Sequence, residues 1–210
     1  MTGRRHHPTD EHVVLLDPSH RVVGTAPKLS AHHRDTPLHL GFSCYVVDGE
    51  GRVLLTQRAS SKRTWPDTWT NACCGHPQLG ETLREAVERR LDFELGVTAR
   101  AMALALPHFR YRAAMGNGIV EHELCPVVVA TIDGAPCPNP QEVSHVAWTS
   151  WDRLRGRAER EPATLSPWSV EQIHALARGR LDGPDAPGDE RDPRLDQILP
   201  LAAIDDDSGR

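Results

Sequence analysis

The sequence GHPQLGETLREAVERRLDFELGV, at residues 75–97, decides the fold of this 210-residue chain. Its apolar residues recur at four-residue steps, as expected for the buried face of a helix. These residues are Leu83, Val87, Leu91 and Leu95. Thr82 and Glu85 form a capping-box pattern, in which each satisfies a free backbone N–H at the helix start. Gly96 suits the left-handed cap that ends a helix, so the stretch predicts a loop, a helix and a second loop.

Apolar, β-branched runs on both sides of this helix predict strands. These runs are 12–16, 21–24, 38–47, 52–56, 101–106, 108–112, 119–131 and 143–148. Residues 48–51, Asp-Gly-Glu-Gly, predict a hairpin turn, and Pro126 predicts an edge strand or a bulge. A second helix is expected after Ser166, because Pro167 is tolerated at a first helical position. The order of elements predicts an α/β/α sandwich around a mixed β-sheet.

Length, charge and cysteine content limit the organisation of the chain and its partners. We expect one domain at residues 11–181, a flexible arm at 1–10 and a disordered acidic tail at 182–210. The formal net charge of -5 gives no general attraction to nucleic acid, and no apolar run reaches the length of a membrane span. The odd number of cysteines, five, and the lack of an apolar signal core favour a reduced, cytoplasmic protein. We expect a monomer.

Residues 70–77, Thr-Asn-Ala-Cys-Cys-Gly-His-Pro, place a thiol two residues from an imidazole. Further along, Glu121 and Glu123 are two apart in a strand, so both side chains project from one face. An exposed strand face is the simpler interpretation. The segment is strongly apolar, however, and two inward carboxylates need a cation or a shared proton.

Three histidines complete a candidate metal site with these two carboxylates: His32, His39 and His76. Alone, His32 and His39 are each more consistent with an ordinary loop or surface histidine. Together the five residues offer a nitrogen and oxygen set that suits Mn²⁺ or Mg²⁺. Zn²⁺ ranks second, because it usually takes four ligands and often includes thiolate.

Seven residues of the 75–97 stretch fall at the spacings of a Nudix box. They are Gly75, Glu81, Arg89, Leu91, Glu94, Gly96 and Val97. Arg90 and Phe93 stand where a Nudix hydrolase has two metal-binding carboxylates. Hydrolysis needs a metal-activated water. The pattern therefore indicates the Nudix fold but lacks two of the carboxylates that a hydrolase uses to bind metal. Taken alone, Arg90 and Glu94 are more consistent with a surface ion pair.

Further blocks in the same order make residues 11–180 resemble the type 1 isopentenyl-diphosphate Δ-isomerase family, whose fold is Nudix. The matching blocks are 28–32, 38–40, 58–62, 65–71, 74–81, 109–112, 121–123 and 166–168. The resemblance implies an enzyme that interconverts isopentenyl diphosphate and dimethylallyl diphosphate. It implies that Cys74 and Glu123 are the catalytic acid and base, with their order left open.

The resemblance also implies supporting residues for this reaction. Trp168 would offer an aromatic face to a developing carbocation, and we expect Tyr111 to hydrogen-bond Glu123. The family ligands of one metal ion fall on His32, His39, His76, Glu121 and Glu123. A Mg²⁺ carried with the diphosphate would meet Glu94 and the Cys74 carbonyl. Candidate cations for the diphosphate are Lys28, Arg58, Lys62 and Arg90.

Two other functions remain open at this point. One is a Nudix pyrophosphohydrolase, against which Arg90 and Phe93 argue. The other is a non-catalytic metal or ligand sensor built on the same fold.

Overall fold

A computed structural model of the chain describes residues 11–179, 187–188 and 191–197. The strands of this part are β1 (His12–Leu16), β2 (Val22–Pro27), β3 (His39–Leu40), β4 (Phe42–Val47), β5 (Arg52–Arg58), β6 (Trp69–Thr70), β7 (Cys73–Gly75), β8 (Thr98–Leu106), β9 (Arg110–Ala114), β10 (Val120–Leu124), β11 (Val127–Asp133) and β12 (Val143–Ser150). The helices are α1 (Lys28–Ala31), α2 (Leu83–Leu95), α3 (Trp151–Arg160) and α4 (Pro167–Gly179). Short 3-10 turns lie at Pro162–Thr164 and Pro193–Asp196.

The strands form two sheets. The first has the order β2-β1-β3-β10-β9, and the second has the order β12-β5-β4-β11-β8, with β6 beside β5 and β7 beside β4. Both sheets are mixed, because β10 runs parallel to β3 and β11 runs parallel to β4. The predicted mixed α/β architecture is confirmed, with two sheets where the sequence indicated one.

Two predicted strands each divide where the chain passes from one sheet to the other. Gly41 separates β3 from β4, and Cys125 and Pro126 separate β10 from β11. Pro126 has no N–H for a ladder, and its carbonyl instead accepts from the Ser43 amide at 3.0 Å. The Gly41 amide donates to the Leu124 carbonyl at 2.8 Å. The two crossings therefore lie side by side and open a space between the sheets.

Helices cover both faces of the second sheet. Along β11, Val128 and Ala130 pack in the core that contains α2, whereas Val127 and Val129 pack in the core that contains α3 and α4. This alternation follows from the period of two in a strand. It produces the predicted α/β/α sandwich.

The predicted helix ends are confirmed. The Thr82 hydroxyl accepts from the Glu85 amide, and the Glu85 carboxylate accepts from the Thr82 amide. Gly96 has φ 62°, in the left-handed region. Helix α3 was not predicted, because its short apolar stripe of Trp151, Leu154 and Ala158 is interrupted by many charged residues.

The predicted disordered tail is wrong for residues 191–197. Leu195 is fully buried in the core beside α2, and Asp196 pairs with Nε of Arg84 at 2.7 Å. The Asp192 carboxylate accepts from the Leu104 amide of β8 at 2.9 Å. Acidic residues expected to be solvated are instead paired with cations and a backbone N–H. The arm at 1–10 and the rest of the tail lie outside the described residues, apart from 187–188, and the domain bounds stay a prediction.

Across the described residues, none of the helices is both long enough and apolar enough to span a bilayer.

Candidate active site

A cavity of about 300 Å³ opens between the two sheets and α2. Nearly all residues predicted for the site line it. They are Lys28, His32, Arg58, Lys62, Cys74, His76, Arg90, Glu94, Tyr111, Glu121, Glu123 and Trp168. His39, also predicted, is not part of the lining and is fully buried. Cys74 and Glu123 therefore face a common hollow, as the sequence interpretation requires.

Three imidazoles and one carboxylate cluster at one side of this cavity. The ring centroids of His32, His39 and His76 lie 5.0, 5.2 and 5.6 Å apart. Their ligand atoms and a Glu123 oxygen all lie within 4.8 Å of one another. The side-chain oxygen Oε1 of Glu123 is 3.2 Å from Nε2 of His76 and 3.5 Å from Nε2 of His39.

Hydrogen bonds to backbone carbonyls orient two of these rings. Nδ1–H of His32 donates to the Lys28 carbonyl at 2.9 Å, and Nδ1–H of His39 donates to the Pro37 carbonyl at 2.9 Å. A carbonyl can only accept, so each neutral ring turns the lone pair of Nε2 away from that carbonyl. Buried Nε2 of His39 makes no hydrogen bond.

This arrangement fits a divalent cation. The lone pair of Nε2 of His39 and an oxygen of Glu123 cannot face each other without a proton or a metal ion between them. Glu123 raises the pKa of His39 against the effect of burial, so one proton can be held there. Burial lowers the pKa of His76 to about 3, which keeps that ring neutral and able to bind a metal. Burial opposes ionisation of Glu123, but the neighbouring imidazoles of His39 and His76 outweigh it and lower its pKa.

Gly41 makes room for the Glu123 carboxylate. A Cβ at position 41 would lie 2.1 Å from Oε2 of Glu123, inside any allowed contact. The glycine at the crossing between β3 and β4 is therefore required by the Glu123 side chain.

Glu121 is buried but does not join the four-residue cluster. Its Oε2 accepts from the Tyr111 hydroxyl at 2.8 Å. The expected hydrogen bond from Tyr111 to Glu123 is thus wrong: Tyr111 lies opposite Glu123 in the β9–β10 register, but its hydroxyl reaches the other carboxylate. Burial and the charge of Glu123 raise the pKa of Glu121. Its role as a metal ligand stays a prediction.

Cys74 is half-buried on β7, opposite Ser43 of β4. Its sulfur donates to Oδ1 of Asn71 at 3.2 Å and lies 3.4 Å from Oγ of Ser43. Burial raises the pKa of Cys74 to about 12, so the group is a neutral thiol at physiological pH. The prediction from residues 70–77 did not identify Asn71 as a partner of this thiol.

Aromatic rings form another wall of the cavity. The centroid of Trp168 lies 5.7 Å from that of Tyr111 and 5.2 Å from that of Trp65. The guanidinium carbon of Arg58 lies 5.8 Å from the Trp168 ring centroid. Nη2 of Arg58 donates to the Thr64 carbonyl at 2.9 Å, which fixes the guanidinium at the cavity edge.

The other predicted cations form ion pairs with carboxylates. Nζ of Lys28 lies 2.6 Å from the Glu11 carboxylate, and the Lys62 ammonium is paired with Glu142. The Arg90 guanidinium contacts three carboxylates. They are Glu94 at 2.5 Å, Glu11 at 3.1 Å and Glu142 at 3.2 Å. The sequence interpretation missed Glu11 and Glu142, which have no motif spacing and approach only in the folded chain.

Arg90 and Glu94 form no surface pair, contrary to the simplest interpretation of their spacing. Their side chains are only 5% and 9% exposed. The Phe93 ring lies beneath Arg90, 5.2 Å from its guanidinium carbon. The two positions that lack the Nudix-box carboxylates thus form one partly buried cation–aromatic contact.

Comparison with known proteins places this site in a family. The NUDIX domain model matches residues 37–169. The chain is 52% identical over 166 residues to an isopentenyl-diphosphate Delta-isomerase of Saccharopolyspora erythraea, across 79% of this chain and 86% of that protein. It is 52% identical over 169 residues to the Frankia alni protein of the same name, across 80% and 87% of the two chains.

A solved structure from Deinococcus radiodurans has the same fold. It superposes with a TM-score of 0.61 at 21% identity, across 79% of this chain and 98% of that one. With the family match over most of the domain and half-identical relatives, the chain belongs to the Nudix family and, within it, to the isopentenyl-diphosphate Delta-isomerases.

Proposed function

We propose that this protein interconverts isopentenyl diphosphate and dimethylallyl diphosphate by a 1,3-allylic proton shift. One observation carries the proposal: the Cys74 thiol and the Glu123 carboxylate line the same cavity as the Trp168 ring. The family membership supports the same reaction.

The reaction is redox-neutral and moves one double bond. A proton added to the terminal methylene carbon leaves a tertiary carbocation-like centre, and loss of a proton from the allylic methylene forms the new double bond. Cys74 and Glu123 share the two proton transfers. The buried thiol carries a proton and Glu123 does not, so the pair holds the complementary forms that a donor and an acceptor need.

The carbocation-like state needs stabilisation without a nucleophile. The Trp168 ring offers its electron-rich face, and the buried aromatic wall excludes water that would trap the cation. The Tyr111 hydroxyl donates a hydrogen bond to the Glu121 carboxylate, and Tyr111 supports the reaction through this contact. This bond holds a second carboxylate beside the Glu123 side of the cavity.

Four cations would bind the diphosphate: Lys28, Arg58, Lys62 and Arg90. Three of them are held at the cavity by the carboxylates described above, and phosphate oxygens would take over part of these contacts. Mg²⁺ entering with the diphosphate would be held by Glu94 and by the Cys74 carbonyl.

A second divalent ion, Mn²⁺ or another, would be held by His32, His39, His76 and Glu123, with Glu121 as a fifth ligand. Such an ion supplies positive charge that fixes Glu123 and lowers its pKa further. Unpartnered Nε2 of His39 supports this assignment. A monomer in the cytoplasm is part of the same proposal.

Proton NMR in D₂O tests the reaction on the purified chain with Mg²⁺ and isopentenyl diphosphate. We expect dimethylallyl diphosphate to form with deuterium in its methyl group. Release of phosphate or pyrophosphate without a double-bond shift would instead favour a hydrolase. Binding of the diphosphate without turnover would favour a sensor.

A further inference from the structure

Asn71, in the connection between β6 and β7, is fully buried. Its Nδ2 donates to the Cys44 carbonyl at 3.0 Å and to the Cys73 carbonyl at 2.8 Å. Both carbonyls can only accept, so both amide hydrogens are used and the orientation of the amide is fixed. Oδ1 is therefore the atom that points toward the Cys74 thiol.

Three donors converge on this oxygen. The hydroxyl of Thr70 donates to Oδ1 at 2.8 Å, the Cys74 thiol at 3.2 Å, and Nε1–H of Trp168 at 3.4 Å. One atom thus contacts both the proposed acid–base thiol and the ring proposed to face the carbocation. These two side chains come from β7 and α4, and residues 74 and 168 lie 94 positions apart in the sequence.

A second contact holds the sulfur from the other side. Oγ of Ser43 lies 3.4 Å from the Cys74 sulfur and accepts from Nε2 of Gln172 at 2.9 Å. Asn71 and Ser43 are thus two polar partners of a sulfur that also lines the cavity. The amide therefore limits the directions from which the sulfur meets substrate.

We infer that Asn71 is a positioning residue of the isomerase site, which sets the Cys74 thiol and the Trp168 ring in one geometry through its single acceptor oxygen. The inference rests on the proposed function. Proton transfer and cation stabilisation must occur in the same bound substrate, and a displacement of about 1 Å can cost roughly 100-fold in rate. Within the described part of the chain, the hydrogen bonds of the Asn71 side chain include none to the four cations proposed for the diphosphate, so substrate affinity should depend little on Asn71.

Steady-state kinetics of Asn71→Leu, with isopentenyl diphosphate and Mg²⁺, test this role. We expect kcat to fall about 30- to 100-fold while KM changes less than about threefold. Asn71→Asp keeps an acceptor oxygen but turns its second oxygen onto the Cys44 and Cys73 carbonyls, which can only accept, so it should recover little of the lost kcat. Thr56→Val is the matched control. It removes a buried hydrogen bond of 2.8 Å to the backbone carbonyl of Asn71 but leaves the side-chain oxygen Oδ1 unchanged. We expect this variant to keep kcat within about threefold.

Unchanged kcat in folded Asn71→Leu, a loss confined to KM, or an equal loss in Thr56→Val would overturn the inference. An infrared difference spectrum between the unsubstituted protein and Cys74→Ser provides a measurement that needs no Asn71 variant. We expect the S–H stretch of Cys74 at the lowered frequency of a hydrogen-bonded thiol, and the frequency of a free thiol would contradict the contact. If the unsubstituted protein fails to isomerise, the proposed function fails, and the infrared result still tests whether the Cys74 thiol is hydrogen-bonded, as the inference requires.

Discussion

Glu123 of β10 lies beside His39 of β3 in parallel register, with its Oε1 3.5 Å from Nε2 of the histidine. The pairing joins two residues, 39 and 123, that lie 84 positions apart in the sequence. Among the described residues, this nitrogen has no hydrogen-bond partner, and the pairing brings it, as a proposed metal ligand, next to the proposed catalytic carboxylate. Sheet register, set by the crossings at Gly41 and Pro126, thereby places the candidate metal site beside the proposed reacting groups of the cavity.

Replacing His39 should remove the metal ion. His39→Ala deletes a buried ligand whose ring is oriented by the Pro37 carbonyl, and we expect bound Mn²⁺ to fall from about one per chain to near zero. Elemental analysis after dialysis measures this. His122→Ala is the control, since His122 lies on the same strand as Glu123 but outside the cluster. Full metal content in His39→Ala would contradict the assignment.

Gly41→Ala should displace Glu123. The new Cβ would lie 2.1 Å from Oε2 of Glu123, so the carboxylate must move out of its place beside the imidazoles. We expect a rate loss of about 100-fold or more together with weaker metal binding. Gly49→Ala, where a Cβ would meet no atom within 4 Å, should leave the rate within about twofold. Equal rates for both variants would show that the space beside Glu123 is not needed.

Cys74→Ala should abolish isomerisation in a folded protein. The substitution removes the thiol but little volume, and the loss should exceed about 1,000-fold, because one of the two proton-transfer groups is missing. The deuterium NMR assay measures activity and circular dichroism measures folding. Cys137→Ala removes an exposed thiol and should retain full activity. Substantial turnover in folded Cys74→Ala would exclude Cys74 from proton transfer.

Stability should fall in acid because of Glu11. Burial opposes its ionisation, but Lys28 and Arg90 lower its pKa from 4.5 to about 2. A depressed folded-state pKa contributes stability that is complete above pH 4.5 and is lost as pH falls toward 2. The shift corresponds to about 3 kcal/mol at neutral pH.

Denaturant titrations of Glu11→Gln between pH 7 and pH 2 measure this contribution. The variant should be less stable at pH 7 and should lose less stability on acidification. Exposed Glu159 offers the control, Glu159→Gln, whose pH profile should match that of the unsubstituted protein. Parallel profiles for Glu11→Gln and the unsubstituted protein would refute the effect.

Leu195→Ala should destabilise the domain although position 195 lies beyond the last long helix. Its side chain is fully buried beside α2, so we expect a loss of about 2–5 kcal/mol. Urea unfolding measures the change. Removing the exposed side chain of Leu79 offers a comparison, because Leu79 is 68% exposed and Leu79→Ala should cost less than about 0.5 kcal/mol. A similar small cost at Leu195 would mean that residues 191–197 do not contribute to folding.

The sequence by itself determined the local features of this protein. Helix α2 follows from a stripe at four-residue steps, a capping box at Thr82 and a glycine at position 96, all of which act between near neighbours. The Nudix-box spacing and the blocks around Cys74 and Glu123 identified the family, because those positions carry motif residues at fixed separations.

Only the tertiary structure decided which distant side chains meet. In the folded chain the Tyr111 hydroxyl donates to Glu121, Glu11 and Glu142 pair with cations proposed to bind the diphosphate, and Leu195 packs in the core. These contacts depend on sheet register and on the passage of the chain between two sheets. Periodicity and capping report on neighbours within a few residues, whereas the partner of a buried charge is fixed by whichever opposite charge the completed fold brings within hydrogen-bonding distance.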